Sequence, residues 1–354
     1  MKILIVAPSR KMGGIERALS VLANEWTKLN HEVIYVSCLK SEPFYFLDKR
    51  IKVIEPNLRR SSGLMNKFFF YPRLLRYLRN EFKVHQPNRI LSFGDFFNPL
   101  VLLAAQGLKI PVYISDRTSA DFKFPFYIRY LKQKLYPHAS GFIAQTQRAY
   151  DAKRNQFGEK FNQTIIPNAI RSVGKIDVPK ENIILYAGRF SWEKNPGALI
   201  EAYADIKDKN EWRLVMLGDG PLWNEMKAKA NKLGLEKQID FLGAVSDIDL
   251  WLNKASIFVL PSVLEGFPNA LCEAMTAGLP VICFDSIAYE SLLVHNQEGI
   301  VVPFQNITDL SKAINNLILS QPLRNSLGNK ASKRAENWQL ENIIVQYNQF
   351  LKLN

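Results

Sequence analysis

Short apolar runs alternate along the chain with longer segments of helical periodicity. The first run, at 2–7, is followed by a loop and then by residues 15–29, where Leu19, Leu22 and Trp26 recur on one helical face. Runs that are apolar throughout are typical of parallel strands, because such strands are covered on both faces. The opening of the chain therefore predicts a β-loop-α-β unit of the nucleotide-binding type.

The same alternation occurs on both sides of a weakly periodic segment at 168–180, which contains Gly174, Pro179 and several charges. We predict an inter-domain linker there. The alternation predicts an α/β protein of two Rossmann-like parallel-sheet domains, at 1–168 and 169–340, facing each other across a cleft. The predicted strands are 2–7, 33–37, 51–54, 89–92, 112–115, 141–144 and 164–166, then 183–187, 213–217, 239–242, 257–260, 281–284 and 299–302.

The segment 261–284 joins two buried strands through a loop and a helix predicted at 269–277, with Gly278 as its stop. Parallel sheets bind ligands at such joints, beyond the carboxyl ends of their strands. Glu265 and Glu273 lie eight residues apart across it. Eight residues of continuous helix span roughly 12 Å, whereas the carboxyl groups of a retaining glycosidase lie about 5–5.5 Å apart. Two separate binding tasks are therefore favoured over a hydrolytic pair.

Two further loops are candidates for binding phosphate. In the loop 188–196, which precedes a predicted helix, Arg189 and Lys194 are two cations near a helix N-terminus, which suits a diphosphate. By itself, this loop is better explained as a basic, solvated turn. In the first loop, Gly13 and Gly14 lack the dinucleotide fingerprint but let the backbone approach a ligand closely. The alternative there is a plain tight turn.

Charge is distributed unevenly over the 354 residues. The whole chain has a net charge of +13, but residues 1–170 carry 27 lysines and arginines against 12 acidic residues, a net of +15, and the rest carries −2. One domain is therefore expected to meet an anionic surface, either nucleic acid or lipid. Segments 64–82 and 122–136 interleave basic and aromatic residues, as interfacial helices do, although those aromatics could also be core. Together with the charge, they favour lipid.

Composition narrows the class of protein. The chain is 47% hydrophobic and 22% charged, as in globular proteins and not in disordered ones. Cys38, Cys272 and Cys283 lack metal-ligand spacing and are expected to be buried, reduced thiols. We find no signal peptide or transmembrane run, so we expect a cytoplasmic protein, or one bound to the membrane surface from the cytosolic side.

Several motifs occur here in the order and spacing of one enzyme family. In the second half they are Gly188-Arg189 with Lys194, Leu217-Gly218-Asp219-Gly220-Pro221, Phe241-Leu242-Gly243, Pro261-Ser262, and Glu265-Gly266-Phe267-Pro268 through Glu273-Ala274-Met275. In these motifs the chain resembles the retaining glycosyltransferases of family 4, which have the GT-B fold. The first loop, 13–17, is also similar to that family, and Ser115-Asp116-Arg117-Thr118 resembles members that build bacterial surface polysaccharides on a lipid carrier.

The resemblance implies roles for individual residues. Arg189 and Lys194 would hold the donor's diphosphate, Glu265 would face the sugar hydroxyls, and Glu273 would bind the ribose. No metal or other cofactor is implied, and no Asp-x-Asp occurs where a metal would be expected. Arg117 falls where many members have a histidine, which leaves its role open. The predicted donor-binding residues are Gly13, Gly14, Arg117, Gly188, Gly243, Val245, Gly266, Phe267, Pro268, Asn269, Ala270, Leu271 and Glu273, with Arg189, Lys194 and Glu265 as catalytic residues.

The resemblance also implies an activity. The protein would move a hexose or N-acetylhexosamine, with retention, from a UDP-linked donor to a lipid-diphosphate-linked saccharide in O-antigen, capsule or similar synthesis. The basic N-terminal domain, with a C-terminal helix at about 341–354 packed back on it, would bind this acceptor at the inner face of the membrane. Nucleic acid is not the expected partner. A nucleotide-sugar epimerase and a non-catalytic partner subunit remain alternatives.

Overall fold

The computed structural model of the protein describes residues 1–56, 64–207, 209, 211–287 and 289–353. The chain divides into two compact units. The first comprises Met1–Ala169 and Glu341–Asn354, and the second comprises Ile170–Leu340. In chain order the elements are β1 (Lys2–Ala7), α1 (Gly14–Lys28), β2 (Glu32–Ser37), β3 (Lys52–Ile54), α2 (Leu64–His85), β4 (Arg89–Phe93), α3 (Asn98–Ala105), β5 (Val112–Ser115), α4 (Phe126–Leu135), β6 (Gly141–Ala144), α5 (Gln147–Phe157), β7 (Gln163–Ile165), β8 (Ile183–Ala187), α6 (Pro196–Ala204), β9 (Arg213–Leu217), α7 (Trp223–Lys232), β10 (Ile239–Gly243), α8 (Ile248–Lys254), β11 (Ile257–Leu260), α9 (Asn269–Thr276), β12 (Val281–Phe284), β13 (Gly299–Val302), α10 (Ile307–Leu319), α11 (Gln321–Ala335) and α12 (Leu340–Leu351).

The first unit is built on a parallel sheet. In the described part of the chain its strand order is β3-β2-β1-β4-β5-β6-β7, so the order reverses between β1 and β4. One apolar cluster lies under α1 and α12, and another lies under α2 and α3, so the sheet is covered on both faces. Burial on both faces explains why its strands are apolar throughout.

The last helix, α12, packs into the first unit. Ile343 and Tyr347 are buried there, and the ring of Tyr347 meets Trp26 edge to face at 6.1 Å. The indole N–H of Trp26 donates to Asn348 Oδ1 over 2.8 Å. Burial of each such large side chain contributes about 1.5–3 kcal/mol, so the C-terminal residues are part of this core.

The second unit has a parallel sheet of order β10-β9-β8-β11-β12-β13 among its described residues. Its chain-order reversal falls between β8 and β11, which pair directly through Ile257 with Ile184 and Phe258 with Leu185. Apolar clusters cover both faces. A doubly wound sheet opens a crevice beyond the carboxyl ends of its strands at such a reversal.

The strands predicted from the apolar runs are confirmed to within about one residue at either end; β7, for example, begins and ends one residue earlier than predicted. The predicted helix at 269–277 is α9, which ends at Thr276, followed by Gly278 with φ +73°. Left-handed backbone at that point terminates the helix, as the glycine predicted. All three cysteines are buried and form no disulfide.

Most of the predicted linker belongs to the second unit, which begins at Ile170. Gly174 N–H donates to Asp249 Oδ2 over 2.9 Å, and Asn253 Nδ2 donates to the Gly174 carbonyl over 2.7 Å. These bonds hold residues that precede β8 along α8. As for the membrane, no described helix combines the length and apolar character that a bilayer span requires.

Candidate active site

The site is built on the two strands that flank the reversal in the second unit. The strand β8 ends at Ala187 and leads into a loop that reaches α6, and β11 ends at Leu260 and leads into a loop that reaches α9. The two loops are joined by the amide of Val263, which donates to the Glu193 carbonyl over 2.8 Å. The predicted catalytic residues of the two loops therefore belong to one local structure.

Close backbone approach explains the glycines after β9. Gly218 has φ +124°, and a Cβ there would lie 2.0 Å from the Gly188 carbonyl oxygen. A Cβ on Gly220, at φ +158°, would lie 2.4 Å from the Phe190 carbonyl oxygen. The Phe190 amide donates to the Asp219 carbonyl over 3.0 Å. The loop that carries Arg189 is therefore supported along its length by the loop after β9.

Lys194 and Glu265 are in direct contact, which the sequence did not predict. Lys194 Nζ lies 2.5 Å from Glu265 Oε1, and the Ser262 hydroxyl donates to the same oxygen over 2.7 Å. Ser262 is fully buried, whereas the Lys194 side chain is 24% exposed and that of Glu265 is 8% exposed. The carboxylate is thus fixed by a buried hydroxyl group, and the ammonium group is open to solvent.

The predicted donor-binding residues at the start of α9 can contact a ligand mainly through their backbone groups. The Phe267 side chain is buried edge to face against Trp338 at 6.3 Å, and Leu271 is fully buried. Among the described residues, the amides of Gly266 and Phe267 find no acceptor. Unpaired amides at the start of a helix favour an anion. Pro268, Asn269 and Ala270 complete this helix start.

Glu273 has a different cationic partner from Glu265. Its Oε2 lies 3.5 Å from Arg171 Nη2, and Arg171 also pairs with Asp249 of α8. Glu273 is 7% exposed. The separate partners agree with separate tasks for the two glutamates. Sequence reasoning missed Arg171 because it lies in an aperiodic segment, far along the chain from Glu273.

The other predicted donor residues of the second unit lie around these loops. Arg189 is exposed, and its guanidinium has no partner among the described residues. Gly188 donates its amide to the Leu217 carbonyl over 3.0 Å. Gly243 has φ +74°, with its carbonyl accepting from Gly218, and Val245 packs partly against the core.

The predicted residues of the first unit lie beyond the carboxyl ends of β1 and β5. Gly13 and Gly14 begin α1, and a Cβ on Gly13 would lie 2.3 Å from Glu16 Oε2. The Glu16 carboxylate therefore occupies the space beside the glycine, where it accepts from the Ser9 hydroxyl over 2.7 Å. Gly13 thus makes room for a protein carboxylate.

Arg117 is half-buried among residues of its own unit. Its guanidinium lies 3.4 Å from the centre of the Phe93 ring and donates to Asn168 Oδ1 over 2.6 Å and to the Tyr347 hydroxyl over 3.0 Å. Burial lowers the pKa of this group from its ordinary value. These contacts tie α12 to the sheet, a packing task that the sequence did not predict.

The two aromatic and basic segments differ in the structure. On α4, Phe126, Tyr127 and Tyr130 are 76%, 58% and 51% exposed, as an interfacial helix requires. On α2, in contrast, Phe70 and Phe82 are buried in the core. The lipid interpretation of 64–82 is therefore wrong for these two residues, whose helical spacing places them on the inner face; the side chains at 64–68 lie outside the described residues.

Known proteins show the family resemblance directly. The family model Glycosyl transferases group 1 matches residues 171–334, and Glycosyltransferase Family 4 matches residues 12–172. Over 98% of the chain and 97% of the relative, the sequence is 28% identical to the Campylobacter jejuni GalNAc-alpha-(1->4)-GalNAc-alpha-(1->3)-diNAcBac-PP-undecaprenol alpha-1,4-N-acetyl-D-galactosaminyltransferase. It is 32% identical, over 72% of this chain and 70% of the relative, to that organism's N-acetylgalactosamine-N,N'-diacetylbacillosaminyl-diphospho-undecaprenol 4-alpha-N-acetylgalactosaminyltransferase.

Solved structures show the fold. The crystal structure of Anabaena HepE in complex with UDP and glucose superposes with a TM-score of 0.80 at 18% identity, covering 100% of both chains. WaaG, a glycosyltransferase involved in lipopolysaccharide biosynthesis, superposes with a TM-score of 0.79 at 17% identity, covering 99% of this chain and 100% of WaaG. The prediction of a GT-B protein with two Rossmann-like parallel sheets is confirmed.

Proposed function

The chain belongs to glycosyltransferase family 4, and from that premise we propose that it transfers a sugar from a nucleotide sugar to a lipid-diphosphate-linked saccharide in the assembly of a surface polysaccharide. The relatives named above support this acceptor, since their names specify undecaprenol-diphosphate saccharides. A UDP-linked hexose or N-acetylhexosamine is the proposed donor. The HepE complex with UDP and glucose is a fold relative compatible with it.

One observation carries the proposal, namely the contact between Lys194 and Glu265 where the loops after β8 and β11 meet. When a sugar–phosphate bond breaks, negative charge grows on the departing diphosphate. A preorganised cation lowers the energy of that charge. Lys194 is partly exposed and already held by a fixed carboxylate, and we propose that it supplies this cation together with Arg189. Glu265 and its supporting Ser262 would then orient the sugar hydroxyls.

We propose that the reaction retains the configuration of the sugar. The bond from the anomeric carbon to the donor phosphate breaks, and a bond to the acceptor hydroxyl oxygen forms on the same face. The hydroxyl proton passes to the departing phosphate, so no separate protein base is assigned. The amides of Gly266 and Phe267 at the start of α9 would bind that phosphate. The proposed charge stabilisation uses these groups and requires no metal.

The nucleotide would be held by the second glutamate. Glu273 is buried on α9 and paired with Arg171, so its carboxylate is oriented before a ligand arrives. A fixed carboxylate suits the two hydroxyls of a ribose, because both can donate to its oxygens. The backbone at Gly243 and Val245 would then contact the nucleobase.

We also propose that the first unit meets the anionic inner surface of the membrane through α4. Its exposed Phe126, Tyr127 and Tyr130 lie among Lys123, Arg129 and other basic residues. Apolar rings enter the lipid interface while basic groups meet anionic headgroups. The excess of positive charge in residues 1–170 acts in the same direction.

A panel of UDP-, GDP- and ADP-linked sugars tests the donor proposal. Ligand that binds the folded protein raises its melting temperature, so a shift specific to UDP-sugars is expected, together with slow hydrolysis to UDP. Lys194→Ala should keep the fold and lose the hydrolysis. Conversion of the UDP-sugar to its epimer without an acceptor would indicate the epimerase, and equal shifts with all nucleotides would contradict the assigned site.

A further inference from the structure

A buried tyrosine, Tyr186 of β8, is bonded to the loop that carries Arg189. Its side chain is fully buried, and its hydroxyl donates to the Arg189 carbonyl over 3.0 Å. The amide of Ser191 donates to the same carbonyl, also over 3.0 Å. Two donors therefore fix the direction of this carbonyl, one from the core of the unit and one from the loop itself.

The backbone on either side of Arg189 is held as well. The Gly188 amide donates to the Leu217 carbonyl and the Phe190 amide to the Asp219 carbonyl, each over 3.0 Å. Because each residue has only two soft backbone dihedrals, fixed peptide groups on both sides set the direction in which the Arg189 side chain leaves the backbone. That side chain is exposed and unpaired in the part of the chain that the structure describes. Its direction therefore depends on the bonds of the loop backbone.

The surroundings of the Tyr186 hydroxyl keep it at the Arg189 carbonyl. A Cβ on Gly188 would lie 3.0 Å from the hydroxyl oxygen, closer than side chains normally pack, so the glycine leaves room for it. Burial raises the pKa of Tyr186, and the charges of Glu265 and Glu193 raise it further. The hydroxyl therefore keeps its proton and remains a hydrogen-bond donor.

We propose that Tyr186 is a positioning residue for the donor diphosphate, because its hydroxyl holds the Arg189 carbonyl and thereby directs the guanidinium to the phosphates. The diphosphate role of Arg189 rests on the proposed function, whereas the bond from Tyr186 to the loop does not. Tyr186 is fully buried, so it acts through Arg189 and not by contact with the donor. A phenylalanine would fill the same space and leave the carbonyl, among the described residues, with the Ser191 amide alone.

Tyr203, near the end of α6, offers a matched control in the same unit. It is also fully buried, and its hydroxyl also donates to a backbone carbonyl, that of Trp212, over 2.6 Å. Trp212 directly precedes β9, at the opposite end of the parallel sheet from the loop of Arg189. Burial raises the pKa of Tyr203 to about 12, so this hydroxyl is a donor too. Tyr186→Phe and Tyr203→Phe therefore remove the same kind of buried bond, one at the site and one away from it.

The test is calorimetric titration of the full-length protein with UDP and with UMP. UMP lacks the second phosphate, so the ratio of the two dissociation constants measures what that phosphate contributes to binding. The variants are Tyr186→Phe, Tyr203→Phe and Arg189→Ala, together with each tyrosine variant combined with Arg189→Ala. The urea midpoints of the two tyrosine variants compare how much stability each lost bond contributed.

We expect Tyr186→Phe to weaken UDP binding about fivefold, a part of the roughly tenfold or more that a hydrogen bond to a charged group contributes. The loss for UMP should be much smaller. Tyr203→Phe should leave both affinities unchanged, although its urea midpoint falls by a similar amount. In the Arg189→Ala background, Tyr186→Phe should have no further effect, because the residue through which it acts is gone.

Three results would overturn the positioning role. They are equal UDP affinities in the two tyrosine variants, equal losses for UDP and UMP, and a loss from Tyr186→Phe that persists with Arg189→Ala. If Arg189→Ala by itself binds UDP as the unsubstituted protein does, the diphosphate role of Arg189 is wrong and the inference fails with it. A loss in Arg189→Ala without one in Tyr186→Phe overturns the inference alone and leaves the proposed function intact.

Discussion

The two units use the same chemistry, an ammonium group against carboxylates, in opposite ways. In the first unit, Lys132 is 4% exposed and lies between Asp95 and Asp116. In the second, Lys194 is 24% exposed and contacts Glu265 alone among the described carboxylates. The three side chains of this first, closed cluster are each less than one-tenth exposed, and its two carboxylates together accept several hydrogen bonds. The second presents its cation at a strand reversal, where ligands bind.

The difference shows what makes a charged cluster functional. Asp95 Oδ2 accepts from the amides of Arg117 and Thr118 and from the Thr118 hydroxyl, so the closed cluster ties together three segments of the unit. Its members have little capacity for a further charged partner. Lys194 can bind a diphosphate in place of Glu265 or in addition to it, because its ammonium group has further protons to donate and faces water.

Lys132→Met is expected to have the largest effect, and the effect is on stability. It keeps the length of the side chain but leaves two buried carboxylates without their shared cation, which costs about 3–5 kcal/mol. Urea unfolding of the full chain would measure this loss from the shift in midpoint. Lys194→Met is the matched substitution in the open cluster and should move the midpoint far less. Similar losses for the two variants would remove the distinction between closed and open clusters.

Lys194→Ala is expected to lower activity strongly while changing stability little, the opposite of what Lys132→Met does. Removal of one preorganised donor to a developing anion typically lowers the rate about 100- to 1,000-fold, equivalent to roughly 2.7–4 kcal/mol. Initial rates of transfer, or of donor hydrolysis, would measure it, with the melting temperature close to that of the unsubstituted protein. Glu265→Gln is a useful companion, since its amide oxygen can still accept from Ser262. Full activity of Lys194→Ala would rule out the assigned role.

The sequence predicted the fold well, because its strands are buried on both faces and so appear as short apolar runs. It selected Arg189, Lys194 and Glu265 on two loops that the structure joins through the Val263 amide and the Glu193 carbonyl, and their roles stay a prediction. It did not predict the partners Ser262 and Arg171, since a side-chain contact across two loops leaves no local pattern. The expectation for 64–82 was partly wrong for a related reason, namely that composition does not show which face of a helix is buried.

Arg171→Met should weaken binding of UDP about tenfold, or about 1.4 kcal/mol. It removes the cation that holds Glu273 and leaves Asp249 without its cationic partner. Arg171→Lys should recover part of the affinity, because a charge remains although the fork is lost. Calorimetric titration with UDP measures the change, and kinetics should show it in KM for the donor more than in kcat. An equal loss in kcat with unchanged UDP affinity would contradict a positioning role.

The smallest expected difference in stability is between substitutions of two neighbouring residues on α5, Lys153 and Arg154. Lys153 pairs with buried Asp116, whereas Arg154 pairs with Glu159 at the surface, where the two side chains are 49% and 80% exposed. Lys153→Met should cost about 1 kcal/mol, less than Lys132→Met, because Asp116 keeps Lys132 and Tyr136. Arg154→Met should leave the urea midpoint unchanged, since exposed pairs are hydrated and screened. If the two variants unfold at the same urea concentration, burial is not what distinguishes the closed cluster, and its stability must come from the aromatic residues around it.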